Sequence, residues 1–438
     1  GGGRAFAQIR ILIKLLKRFK LAFVMLAVAA GVFCFLCGFS YDKKIPKNVT
    51  VNGMSVGGLS IADAAGRLRA ETEEYLRGKS LEICAGDKVY KYTYPEIYYR
   101  DNLFRILKNA KKGKSYTAET SYYLCGAEEL AQGICLAEQL QMTEPYAKFS
   151  AYGKPFEYCE GNDGRRGDAK ALVKAIKNSL NGGFERVNVK FTRVPRTKTI
   201  EDVKSETRLL SSFTTRFDGG NLNRVSNIRL AASKINGTVL EGGKTLSFND
   251  IVGARVKERG FLTAKIIENG EFTEGVGGGV CQVSTTLYNA ALLSGLKIEE
   301  FHPHTLAVGY VPPSRDAMVS GKAFDLKIKN NGKTPIYIRA NTTNGSVSFD
   351  IYGKSDGAKY SLKSSVTGNI PAPEEATDDP DKARSGKDGL ISEGYLEIMR
   401  AGVTKTVLLR KDKYKPVKRI TYEAEPDGIA EENSAEEG

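Results

Sequence analysis

Apolar and polar positions alternate from Val49 to Val56 and then break at Gly57 and Gly58, the pattern of a short strand entering a turn. Ser60 follows as a helix N-cap with Asp63 three residues on. Ile61, Ala64, Ala65, Leu68, Tyr75 and Leu76 then mark one helix face that stops at Gly78. A second helix is predicted from Asp168 through Leu172, Val173, Ile176 and Leu180 to Gly182 and Gly183, after which Val187, Val189 and Phe191 alternate as a half-buried strand. A third helical pattern, Val283, Leu287, Ala290, Ala291 and Ser294, begins just after three successive glycines and ends at Gly295. Residues 354–390, rich in Lys, Ser, Asp, Pro and Gly, read as a linker or long loop. Tyr395 to Met399 and Thr406 to Leu409 read as a short β hairpin in a β-rich segment, 391–422. The mixture of periods predicts an α+β chain.

One segment has neither period. Leu21 to Tyr41 is an uncharged, mostly apolar run that as a helix would reach about 30 Å, one bilayer core. Arg4, Arg10, Lys14, Lys17, Arg18 and Lys20 precede it with no acidic residue, so residues 1–20 are expected in the cytoplasm and everything after the 21–41 anchor outside. Ala27-Val28-Ala29 offers a cleavable signal peptide as the alternative, but the apolar run continues beyond it. The expected location is the cell membrane, with a single span and the bulk of the chain at the cell wall.

The 438 residues exceed one ordinary core, so two or three domains are expected. The formal net charge of +14 admits nucleic acid, anionic lipid or an anionic polymer, and an exported chain removes nucleic acid from that choice. Residues 423–438 hold seven acidic residues and no basic one, a tail expected to be disordered. Cys84, Cys125, Cys135, Cys159 and Cys281 lie beyond the span, an odd number that implies at least one free thiol or an intermolecular bond, while the first four can form two disulfides in three connectivities.

The chemistry concentrates around Cys281. Gly277 to Gly279 can present bare N–H groups, and Cys281 then sits at a helix start, where unpaired amides and the helix dipole favour the thiolate. Amides of this loop and turn, Gly278, Gly279 and Gln282, are candidates to hold an oxyanion. The chain's two histidines, His302 and His304, are spaced i and i+2, so in an extended segment both face the same side and either can serve as base. Asp316 can orient the base and Arg315 can bind a carboxylate. Three alternatives use the same stretch: Cys281 as a buried small hydrophobe, a zinc site of Cys281, His302 and His304, and Ser284 as nucleophile instead of a helix cap.

These residues also carry a resemblance. From Thr214 to Gly353 the chain resembles the VanW-like domain of Gram-positive cell-envelope proteins. The shared words include TTRF at 214–217, RVSNIRLAASKINGTVLEGGKTLSFND at 224–250, GGGVCQVSTTLYNAALLSGL at 277–296 and HPHTLAVGYVPPSRDAMV at 302–319. The resemblance places a central cysteine on Cys281, the histidine pair on His302 and His304, and a Tyr-Arg-Asp cluster on Tyr310, Arg315 and Asp316. Ser314 stands where the family usually has Gly, Met318 where Thr is common and Phe261 where Tyr is usual. The opening VNGMSVGGLSIADAAGRL resembles the peptidoglycan-binding modules that precede catalytic domains of wall enzymes, with a mere spacer as the alternative.

The implied layout is a peptidoglycan-binding domain at 42–210 and a catalytic VanW-like domain at 211–353. The implied activity is that of a cysteine L,D-transpeptidase acting on peptidoglycan stem peptides without cofactor or metal. A non-catalytic wall-binding or glycopeptide-resistance accessory protein and a zinc-dependent amidase are the competing functions.

Overall fold

A computed structural model describes residues 43–268, 271–321 and 323–423. The expected anchor at 21–41, its basic flank and the acidic tail beyond Glu423 lie outside these residues. Among the described residues no helix is long and apolar enough to cross a membrane. The chain is mixed α+β, with eight α-helices and many small sheets among the described residues, and it divides into two compact units.

The first unit comprises the described residues up to Met142 together with Asp163–Pro195. Its helix α1 (Ile61–Arg77) starts where expected, with the Ser60 hydroxyl accepting the Asp63 N–H at 3.0 Å. Strands β1 (Ser80–Ala85) and β2 (Lys88–Thr93) form an antiparallel pair. Helices α2 (Ala127–Ala137) and α3 (Ala169–Asn181) cover a core of Leu81, Ile83, Ile134, Leu172, Ile176 and Leu180. The predicted strand after α3 is present as β3 (Val187–Asn188), parallel to β1, with Phe191–Val194 forming a separate strand.

The second unit comprises Thr143–Asn162 and the described residues from Arg196 onward. A hairpin of Tyr146–Phe149 and Phe156–Cys159, expected within the 42–210 domain, therefore belongs here. Phe149 and Phe156 pack against Tyr337, ring centroids 5.0 and 5.1 Å apart. The chain then runs through β4 (Arg208–Arg216), α4 (Leu222–Ile235), β5 (Thr238–Leu240), β6 (Thr245–Ser247), β7 (Thr263–Glu268), β8 (Glu271–Val276) and α5 (Val280–Leu293). It continues through β9 (Lys297–Glu300), β10 (Lys327–Lys329), β11 (Ile336–Thr342), β12 (Ser346–Gly353), β13 (Lys359–Ile370), β14 (Gly389–Arg400) and β15 (Val403–Tyr414). The main antiparallel sheet has the order β4-β12-β11-β5, and a second sheet the order β13-β14-β15.

The centre of this unit is α5. Every residue from Gln282 to Leu292 is buried, which makes it a helix enclosed on all sides instead of a surface helix. Its apolar side, including Val283, Leu287 and Ala291, joins Ile228, Phe349 and Ile351 in one core. Its polar side holds the 315–317 backbone. Ser284 Oγ donates to the Ala317 carbonyl at 2.7 Å, Thr285 Oγ1 accepts the Ala317 N–H at 2.9 Å, and Asn289 Nδ2 donates to the Arg315 carbonyl at 2.7 Å. Ser284, fully buried and committed to carbonyls, is a packed hydroxyl and not a nucleophile.

Two expectations change. Residues 354–390 are no linker: β13 pairs along its length with β14. Its polar outer positions hid a period-2 strand whose Tyr360 and Leu362 pack on the core. The expected hairpin is present but longer, as the strands β14 and β15. The disulfides allowed for the first four cysteines are not formed, and all five described cysteines carry free thiols. Cys135 is instead packed in the first unit's core, so tightly against Gly167 that a Cβ there would lie 2.7 Å from its sulfur.

One buried side chain links α4 to the glycine loop. Asn227 accepts the Leu262 N–H at 2.7 Å and donates to the carbonyls of Leu262 and Gly278 at 2.9 and 3.0 Å. Asn227→Leu leaves these groups buried without partners, at a cost of roughly 3 kcal/mol or more. A clear fall in the chemical-denaturation midpoint of the second unit is expected, and an unchanged midpoint would contradict this role.

Candidate functional site

The glycine run is dictated by its backbone. Gly277 and Gly279 adopt φ of 89° and 106°, the left-handed region. Gly278 passes so close to the β7 backbone that a Cβ would sit 2.6 Å from the Lys265 carbonyl oxygen. Gly279 is the N-cap of α5, which puts Cys281 in the first turn of a helix buried along nearly all its length. Cys281 is partly exposed, and its thiol lies 3.3 Å from the Val319 carbonyl.

His304 is 5 % exposed and hydrogen-bonded to Cys281. Its Nδ1 lies 2.7 Å from Asp316 Oδ2, which also accepts the His304 backbone N–H at 2.7 Å. With Nδ1 held by the carboxylate, Nε2 is the nitrogen left for the sulfur. Asp316 Oδ1 accepts the Tyr414 hydroxyl at 2.6 Å and Arg410 Nη2 at 3.3 Å. Arg410 further donates through Nη1 to the Asp316 carbonyl at 2.5 Å and through Nε to Asp412 at 2.6 Å. Asp316, 1 % exposed, thus has both oxygens satisfied. Cys281, His304 and Asp316 form one relay.

The charges follow from these contacts. Burial disfavours a charged Asp316, but its bonds to His304, the Arg410 charge and the Tyr414 hydroxyl outweigh this and hold it at about 2. Burial likewise opposes the His304 cation, yet Asp316 and Cys281 push it up to about 9. Burial also works against the Cys281 thiolate, and the His304 bond and charge with the Arg255 charge bring the thiol below its ordinary range. These contacts favour a Cys281 thiolate paired with the His304 imidazolium over a buried carboxylate.

The other expected residues divide. His302 does not face Cys281. Its ring lies against Phe324, its Nε2 is 3.1 Å from Glu300 Oε1, and its carbonyl accepts the Met318 N–H, so the i, i+2 spacing did not bring both imidazoles to one side. The proposed zinc ligands therefore do not converge, and no group of three metal-ligating side chains occurs among the described residues. Gln282 is not an oxyanion donor, because its N–H is taken by the Gly279 carbonyl at 3.0 Å. The N–H groups of Gly278, Gly279 and Cys281 find no backbone acceptor among the described residues. Tyr310 lies near Cys281 and hydrogen-bonds Thr285. Arg315 is used elsewhere, with Nε 3.0 Å from Asn289 Oδ1 and its guanidinium over the Phe213 ring.

Sequence reasoning missed Arg410 and Tyr414. Their signal is the alternation Arg410, Asp412, Tyr414 on a strand whose last inward positions are buried, but the predicted strand stopped at Leu409. Ser314, in place of the family's usual Gly, has φ of 59°, a conformation that favours glycine, and its N–H donates to the Tyr414 hydroxyl at 2.8 Å.

Cys281 is expected to react with iodoacetamide at pH 7 faster than Cys84, Cys125, Cys135 or Cys159. Asp316→Asn should move its labelling midpoint toward the free-thiol value of about 8.5. Equal rates at all five cysteines would refute the ion pair. Because the folded His304 pKa is raised, its contribution to stability is full below about 6.5 and is lost as pH rises through about 9. The gap in melting temperature between the protein and its His304→Gln variant should therefore narrow from pH 6 to pH 10, and a gap constant over that range would refute the assignment.

A known protein family matches the part of the chain that holds the cysteine. The family described as VanW like protein matches residues 223–352. The uncharacterized protein YoaR of Bacillus subtilis (strain 168) is 44% identical over 146 residues, 33% of this chain and 48% of that protein. The vancomycin B-type resistance protein VanW of Enterococcus faecalis (strain ATCC 700802 / V583) is 32% identical over 114 residues, 25% of this chain and 42% of that protein. The chain spans less than half the length of these curated relatives. No solved structure matches. Arg410 and Tyr414 lie outside the residues that the family matches. The chain therefore carries a VanW-like domain, which includes Cys281, His304 and Asp316, at residues 223–352.

Proposed function

We propose that the second unit is a cysteine acyltransferase of the cell wall, an L,D-transpeptidase that cross-links peptidoglycan stem peptides through a Cys281 thioester. The observation that carries this reading is the Cys281-His304-Asp316 relay at a helix N-terminus with a glycine loop beside it. The Cys281 thiolate attacks the carbonyl of the penultimate residue of a tetrapeptide stem. The oxyanion forms beside the free amides of the glycine loop and helix start, and the C–N bond breaks as His304 Nε2 delivers its proton to the departing amino acid. A side-chain amine of a second stem then attacks the thioester and gives its proton to His304, which restores the thiolate. Water in place of that amine yields a carboxypeptidase.

His304 is the base in this mechanism, Asp316 fixes its tautomer, and Arg410 and Tyr414 keep Asp316 ionised. The sequence resemblance and the relative named for vancomycin resistance support a cell-wall setting. The expected membrane anchor and the wall-binding role of the first unit belong to the same proposal.

Purified protein incubated with tetrapeptide stems should give cross-linked dimers and a mass adduct on Cys281. Cys281→Ala should abolish both while leaving the circular dichroism unchanged. Asp316→Asn should cost on the order of 10³–10⁴ in rate, as loss of the orienting acid does in related triads. Dimer formation by Cys281→Ala would refute the proposal.

A further inference from the structure

Two arginines grip the glycine loop from opposite ends. The Arg255 stem lies against Gly277, where a Cβ would come within 2.9 Å of its own Cβ. The Arg224 stem lies against Gly279, where a Cβ would come within 3.1 Å of its Cγ. Both are more than half withdrawn from solvent, and each guanidinium is anchored only by neutral acceptors. Arg224 Nη2 donates to Gln282 Oε1 at 2.8 Å. Arg255 donates to Asn249 Oδ1 at 2.5 Å and to the Gly253 carbonyl at 3.2 Å, and lies over the Phe248 ring.

Neither arginine has an ion-pair partner among the described residues. Asp325, the acidic group nearest in influence to Arg255, is occupied by Ser247 and by the backbone N–H groups of Asn249 and Leu326. Both arginines interact electrostatically with Cys281. With His304, three cationic groups interact with the Cys281 sulfur, while Asp316 is already answered by Arg410. Leaving two half-buried guanidiniums without a counter-charge is costly unless a ligand supplies it. Glycines at 277 and 279 are what allow both stems to approach.

We infer that Arg224 and Arg255 form a carboxylate-recognition site beside Cys281, which restricts the acyl donor to a peptide whose scissile bond is its last one. In such a donor the terminal carboxylate is two bonds from the scissile nitrogen, so a carbonyl placed at the Cys281 sulfur keeps its carboxylate close to the glycine loop that the two arginine stems flank. The Gln282 side chain acquires a role here as the clamp on Arg224, held in turn by the Thr215 hydroxyl at 3.0 Å and the Arg216 carbonyl at 2.9 Å. The identity of the anion as a peptide terminus rests on the acyl-transfer reading above, whereas the anion site itself does not.

The test compares alkylation of Cys281 in the full chain by iodoacetate, which is anionic, and iodoacetamide, which is neutral. Taking the ratio of the two rates cancels any change in thiolate fraction. At low salt the ratio at Cys281 should exceed that of the other four cysteines by about tenfold and fall with added NaCl. Arg224→Gln and Arg255→Gln should each lower it severalfold, and Arg224→Lys and Arg255→Lys should retain most of it. A ratio no higher than at the other cysteines, or one that survives both Gln substitutions, overturns the site. In parallel, the tetrapeptide and its C-terminal amide are offered as donors. Preference for the free acid, lost in the Gln variants, supports the assignment, and equal use by the unaltered protein overturns it. If neither donor reacts, the acyl-transfer proposal fails while the alkylation ratio still decides whether the anion site exists.

Discussion

The second unit is organised around one buried carboxylate. Asp316 is withdrawn from water, and an ionised group there is tolerated only because every oxygen position is answered: the His304 backbone and ring on one oxygen, Tyr414 and Arg410 on the other. That arrangement fixes where the 302–319 segment, the β14-β15 pair and α5 meet. It also sets the direction of polarity along the relay, from Arg410 through Asp316 and His304 to the Cys281 sulfur.

The polar side of α5 serves the same end by other means. A helix enclosed in a core ordinarily carries few polar side chains, yet Gln282, Ser284, Thr285, Thr286 and Asn289 are all buried in this one. Each makes hydrogen bonds, most of them to the main chain of 315–317 or to the neighbouring strand β4. The result is a rigid frame in which Asp316 is positioned by backbone contacts to the helix that bears Cys281. Rigid support of this kind fixes Asp316 and His304 relative to Cys281.

Much of this was legible in the sequence. Capping residues and apolar stripes gave α1 and α3, and Gly277 to Gly279 before an apolar helical pattern gave the position of Cys281 at a helix start. The acid Asp316 was also identifiable. What was not legible depends on contacts between residues far apart in sequence. His302 and His304 have the same spacing in an extended segment whichever one meets the thiol, and only the packing of Glu300 and Phe324 around His302 separates them. Arg410 and Tyr414 are 94 and 98 residues from Asp316, just past the Leu409 at which the predicted hairpin strand ends. Arg224 is hidden for the opposite reason, as one arginine among many on a helix whose caps and apolar positions account for it fully. Gly279 marks where it packs, but only once the fold is known.

The distance between Asp316 and Arg410 along the chain bears on when the site is completed. The polypeptide emerges from its N-terminus, so α5, Cys281 and the His304 segment are all present before β15 has been made. Until that strand docks, Asp316 lacks its buried counter-charge. Completion of the Asp316 environment is thereby coupled to completion of the fold, since its buried counter-charge arrives with one of the last strands of the unit.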